Sequence, residues 1–274
     1  MTKLFGAPLL VGALLLASAC RPSATLSEPE PAAAGEASGA GSSADAGEWA
    51  IPYGAQTLVV HADPSLAGEV ARLLELFEEL AARQVPITAT TRIPIGWTTL
   101  SFAVEGERGE RLVVLEPDYA GRPEAQTRPD VSVSLATLAR QRAVLEAAGV
   151  AGEAIDFDQH VLTITGSLDL DEVFLLRVES PGGRMTGWRL SPTEGIPEGA
   201  ETESIPVHAI LAARPSLLDA MLLPPGYMAF YSGDALTTIV NERDEVVWDR
   251  SLEALELERA EARESPGPLL EPLE

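Results

Sequence analysis

Cysteine is almost missing: the 274 residues hold one, Cys20. Beyond it the chain has no disulfide, no thiolate nucleophile and no zinc-thiolate site to draw on. Lysine is equally scarce, Lys3 being its one copy. Schiff-base chemistry, a P-loop lysine and a serine-lysine dyad are thereby excluded from everything downstream. The three histidines, His61, His160 and His208, are scattered. No G-x-S-x-G elbow, H-E-x-x-H helix or G-x-G-x-x-G turn occurs, so the usual signatures of serine hydrolases, zinc peptidases and dinucleotide enzymes are lacking. Positive charge is short as well, with 19 basic against 42 acidic residues and a net charge of −23. A nucleic-acid site needs clustered cations to replace counterions on phosphates. None is present, so nucleic acid is not an expected partner, and no cofactor is expected either.

Long apolar runs are also absent. The longest, Leu4 to Ala17, follows the single positive charge of Lys3 and falls short of the roughly 20 residues a spanning helix needs. It has the dimensions of a secretory signal core. Ala17, Ser18 and Ala19 then lead into Cys20, an arrangement resembling a bacterial lipobox although leucine stands one place early, at Leu16. The expectation is a signal peptide over residues 1–19 and a lipid-attached Cys20. Cleavage by ordinary signal peptidase and an uncleaved leader remain the alternatives. Several acyl chains on one residue anchor stably where one alone does not. Arg21, in place of an aspartate after the cysteine, points to the outer membrane of the cell envelope. Removal of Lys3 with the leader leaves 18 basic and 42 acidic residues, or −24.

Residues 20–48 read as a tether. Alanine, glycine, serine and proline make up 20 of the 28 residues from Arg21 to Glu48, too little apolar surface to offset the entropy of ordering. Two α+β lobes follow, over 49–150 and 151–250, with helices packed on a mostly antiparallel sheet. In the first, Thr57 to His61 reads as a strand, and Asp63-Pro64 opens a helix. Leu66, Val70, Leu73, Leu74, Phe77, Leu80 and Ala81 recur there at the helical period, a face suited to packing on a sheet. Ile95–Glu105 and Glu110–Glu116 form a hairpin across G-E-R-G, and a second helix runs from the cap Asp130 to the stop Gly149.

In the second lobe His160–Gly166, Glu172–Glu179 and Arg184–Leu190 read as an antiparallel meander. Ser204 and Pro206 suit a helix start, and Pro215 breaks the run into two short helices. Strands at Tyr227–Tyr231, Ala235–Val240 and Val246–Trp248 close the lobe. Residues 251–274 read as a short acidic helix and a fraying tail. Trp97, Trp188, Trp248, Tyr227, Phe230 and Tyr231 are expected in the core, and any tryptophan left exposed would be a recognition anchor.

M-T-G-W-R-L at Met185–Leu190, V-H-A-I-L-A-A-R-P-S-L-L-D-A-M-L-L-P-P-G-Y at Val207–Tyr227 and the closing strands resemble the Imm33-like family of bacterial immunity-type domains, over about 65 residues. The resemblance implies Gly187, Trp188, Pro215, Leu218, Leu222, Pro225 and Gly226 as matching positions with a scaffold role. It also implies protection against a toxin through a protein partner, without catalysis. Family domains look cytosolic, whereas this chain carries an export leader, so the toxin would be met in the envelope. A second glycine-tryptophan pair, Gly96-Trp97, leaves open a diverged duplication of the two lobes.

Asp156, Asp158 and His160, at a spacing of two, would point to one side of an extended strand. With Asp169 or Asp171 they would form an oxygen-rich metal site. The same pattern suits the solvated face of an edge strand, which is the expectation, so no metal or catalytic residue is assigned. A metal-dependent or acid-base envelope hydrolase and a structural or assembly lipoprotein are the alternatives to an immunity-type protein.

Overall fold

The computed structural model describes residues 47–251. The leader, Cys20, nearly all of the tether and the acidic tail beyond Ser251 lie outside them. The described chain is α+β, with two mixed, mostly antiparallel sheets and helices packed on them.

The first sheet is built from β1 (Gly47–Tyr53), β2 (Gln56–Ala62), β3 (Ile93–Ile95), β4 (Thr98–Glu105) and β5 (Arg111–Pro117), in the order β1-β2-β5-β4-β3. A two-residue strand, β6 (Thr127–Arg128), pairs with the end of β5. β1 begins inside the segment read as tether: Gly47 and Glu48 pair with Ala62 and His61. Composition missed this because a strand borrows its order from the partner it pairs with. Asp63 accepts from the Ser65 backbone N–H at 2.8 Å, capping a short 3-10 turn that runs into α1 (Ala67–Ala82). Val70, Leu73 and Phe77 are buried against Leu58, Val60, Leu100, Phe102, Leu112 and Val114 of the sheet. Full burial of a side chain such as Phe77 contributes about 1.5–3 kcal/mol.

α2 (Ser132–Ala148) starts where Asp130 accepts from the Ser132 N–H, at 2.8 Å, and stops at Gly149 with φ 64°. It serves both lobes. Val131 and Leu135 lie in the first core, whereas Val144, Leu145 and Ala148 pack on the second, and Leu138 touches both.

The second sheet contains β7 (His160–Ile164), β8 (Glu172–Arg177), β9 (Met185–Pro192), β10 (Thr202–Pro206), β11 (Met228–Ser232), β12 (Ala235–Val240) and β13 (Val246–Asp249). Its order is β10-β7-β9-β8-β11-β12-β13. The expected meander is corrected here: β8 and β9 are antiparallel, but β9 lies between β7 and β8 and runs parallel to β7. The turn at Gly166 and Ser167–Asp169 carries the chain past the neighbouring position instead of folding it straight back. Ser204 does not start a helix, whereas Pro206, the last residue of a strand, is also the N-cap of the helix that follows. Both lie in β10, whose backbone pairs with β7 and leaves α3 (Val207–Ala213) to begin one residue later. The first N–H groups of α3, those of Val207 and His208, donate to the Gln159 and Phe157 carbonyls. These backbone acceptors replace the side-chain cap that a sequence can display. Pro215 opens a 3-10 segment, Pro215–Ala220.

Both sheets share one three-strand unit. A strand is followed by a hairpin whose returning arm lies parallel beside it, β2·β5·β4 in one and β7·β9·β8 in the other. Gly96-Trp97 precedes β4 while Gly187-Trp188 lies within β9, so the two glycine-tryptophan pairs are not at equivalent places.

Candidate functional site

Two of the positions singled out by the resemblance, Trp188 and Gly226, contact a residue that was not, Arg177. At the end of β8 Arg177 is 2% exposed. Its Nη1 donates to the Leu223 carbonyl at 2.6 Å and to the Glu153 carbonyl at 3.2 Å, and its Nη2 pairs with the Glu153 carboxylate at 3.3 Å. Burial lowers its pKa from the ordinary arginine value. The guanidinium lies 5.7 Å from the centre of the Trp188 ring, within cation-π range.

Trp188 is brought there by a bulge. Between the pairs His160–Met185 and Leu162–Arg189, β9 spans more residues than β7. Gly187 takes φ 86° in this stretch, and a Cβ on it would meet the Val178 carbonyl oxygen at 2.3 Å. Only glycine fits. Trp188, fully buried, then donates from Nε1 to the Met221 carbonyl at 2.9 Å. Leu218 and Leu222 fill the same core. After Pro225, Gly226 has φ 92° with Glu242 against the place of its missing Cβ, and its N–H donates to the Arg177 carbonyl at 2.7 Å.

The acidic triad disperses. Asp156, at the seam between the lobes, accepts from Thr99 Oγ1 at 2.9 Å, and its pKa is raised, chiefly by burial. Asp158 turns instead to Arg184 at 3.3 Å, and His160 opens β7. Among the described residues no group of three or more His, Cys, Asp or Glu side chains is placed to hold a metal ion.

The seam carries the other polar groups of note. Glu124 faces His208 Nε2 at 3.4 Å, and the Ile155 N–H donates to the Gly96 carbonyl at 3.1 Å. Tyr119 stacks on Trp97 at 5.0 Å and meets Phe157 edge-on. Its hydroxyl contacts Thr98, and burial raises its pKa. Glu116 is the most perturbed carboxyl. It is fully buried on β5, accepting from the Ser134 N–H in the first turn of α2 at 2.8 Å, with Arg128 Nε 3.8 Å away. Desolvation outweighs these and pushes its pKa up to about 7. A carboxyl poised near neutrality is a common sign of acid-base chemistry. Glu116, however, is 0% exposed on the helix-covered face of the sheet, where a substrate would have to displace the fold to reach it.

Of the aromatics expected in the core, Trp97, Trp188, Tyr227 and Tyr231 are buried and Trp248 is partly so. Phe230 departs from the expectation: it is on the outer face of the second sheet, partly exposed and stacked on Phe174 at 5.6 Å. Phe230 and Phe174 are register partners, so strand alternation, which sends Ala229 and Tyr231 inward, turns both rings outward.

The Imm33-like domain matches residues 140–246. This span runs from the middle of α2 to the first residue of β13 and exceeds the resemblance legible in the sequence, because β7, β8 and half of α2 belong to it. No curated protein and no solved structure matches the chain.

Proposed function

We propose that this chain is a membrane-anchored envelope lipoprotein whose second lobe gives immunity-type protection, binding a toxin instead of transforming a substrate. The observation that carries the reading is the Imm33-like domain over residues 140–246. Two others support it. Gly187, Trp188, Leu218, Leu222 and Gly226 meet backbone or core demands, which leaves the surface for recognition. The net charge of −23 favours encounter with a basic partner through long-range steering. Anchoring rests on Cys20 and its leader.

The test is viability of cells that express, in the envelope, a candidate toxin taken from the genes that flank this one in its genome. Co-expression of the full chain restores growth, and Cys20→Ser restores less because the protein is no longer held where the toxin arrives. Failure of the wild-type chain to protect would refute the reading. Defects of the envelope on deletion, without any toxin sensitivity, would favour an assembly role instead.

A further inference from the structure

The outer face of the second sheet is unlike the rest of the molecule. Strand alternation turns Leu162, Phe174, Leu176, Met228 and Phe230 outward, all partly exposed, while their chain neighbours Val161, Val173, Leu175 and Ala229 are buried. Cross-strand pairing aligns them in two rows, Leu162–Arg189–Leu176–Met228 and Phe174–Phe230. From β7 to β12 the face spans four strand spacings, about 19 Å. In a chain with 42 acidic residues these two rows contain no carboxylate. Acids stand only at the margin, with Glu172 held by Ser232 at one end and Asp249 beside Thr238 at the far edge. A hollow of about 430 Å³ opens beside Phe230.

Arg189 is the single charge inside the strip. It is exposed, at register with Leu162 on one side and Leu176 on the other, and no described residue pairs with it. A cation ringed by apolar side chains is costly to cover unless the covering surface supplies an anion. This argues against a second copy lying face to face, since two-fold pairing centred on the strip would bring Arg189 against its own copy. A bilayer is disfavoured too, because one arginine within an acidic margin gives little attraction to anionic lipid.

We infer that this strip is the docking surface for a protein partner whose contact patch is apolar, carries one carboxylate at its centre to meet Arg189, and is basic around its edge to meet the acidic margin. The inference rests on the protective reading in taking that partner to be the toxin. The arrangement has the anatomy of a protein interface: an apolar core, one anchoring charge pair and a charged rim.

The test uses the full chain and two fluorescein-labelled helical peptides with leucines along one face and lysines at both ends. They differ only in the residue at the middle of the apolar face, glutamate or lysine. Fluorescence anisotropy is expected to show about tenfold tighter binding of the glutamate peptide, with the order inverted by Arg189→Glu. Phe230→Asp weakens both, and Val104→Asp, at an exposed apolar site on the first sheet, changes neither; circular dichroism and urea midpoints verify that each variant folds. Equal binding of the two peptides, or an Arg189→Glu variant that keeps the wild-type order, overturns the inference. So does self-association, or capture by phosphatidylglycerol vesicles, that Phe230→Asp removes. Discrimination between the peptides by a chain that does not protect cells would uphold the surface and sink the toxin. Protection undiminished in Arg189→Glu would do the reverse.

Discussion

Replacing Glu116 by glutamine should change how stability depends on pH more than any other single substitution in the described chain. Glu116 is fully buried and burial pushes its pKa from the ordinary 4.5 up to about 7. Between those values the folded protein keeps a proton that the unfolded chain has released. The unfolded state then binds fewer protons, so stability falls as pH rises through the window and levels off above it. A difference of about 2.5 pKa units at 1.36 kcal/mol each gives about 3 kcal/mol. Glutamine keeps an oxygen for the Ser134 N–H and has no charge to desolvate. Its loss as a partner for Arg128, whose side chain is 39% exposed, is minor because such pairs are screened by solvent. Urea unfolding of the full chain at intervals from pH 4 to pH 8 checks this. Relative to wild type, Glu116→Gln should be near neutral at the acid end and gain about 3 kcal/mol by pH 8. A difference that stays constant over that range would refute the burial argument.

Gly187→Ala should destabilise by 2 kcal/mol or more, since it adds a left-handed backbone penalty of about 1–3 kcal/mol to a clash with the Val178 carbonyl; urea midpoints read this. Phe77→Ala, which empties the contact of α1 with Phe102 and its neighbours, should cost about 3–5 kcal/mol by the same measurement. Radiolabelled palmitate should enter the wild-type chain and not Cys20→Ser, and equal labelling of both would remove the anchor from the proposed function.

The elements that announced themselves were those whose pattern is written in their own residues. α1 shows its period because one face meets a sheet, and Gly149 stops α2 because its own φ of 64° is needed there. The closing strands β11 to β13 lie within one residue of the bounds expected from the sequence. What stayed hidden depends on distant pairing. β1 and β10 are ordered by β2 and β7, and α3 is capped by carbonyls from another segment. The parallel contact of β7 with β9 leaves no mark in either strand. Arg177 looked like any charge in an acidic chain until Trp188, Leu223 and Glu153 closed around it. Glu116 was one carboxyl among many, although an acid following L-V-V-L in a buried strand was a usable signal. Arg189 could have been found by its setting: a charge between tryptophan and leucine, on a strand whose outward neighbours are apolar.

The most direct measurement is a titration of the toxin's activity with the full chain at toxin concentrations far above the binding constant. Protection by contact predicts a linear decline that ends at one equivalent and does not deepen with longer incubation. Complete inactivation at a small fraction of an equivalent, progressing with time, would contradict it and identify a catalyst.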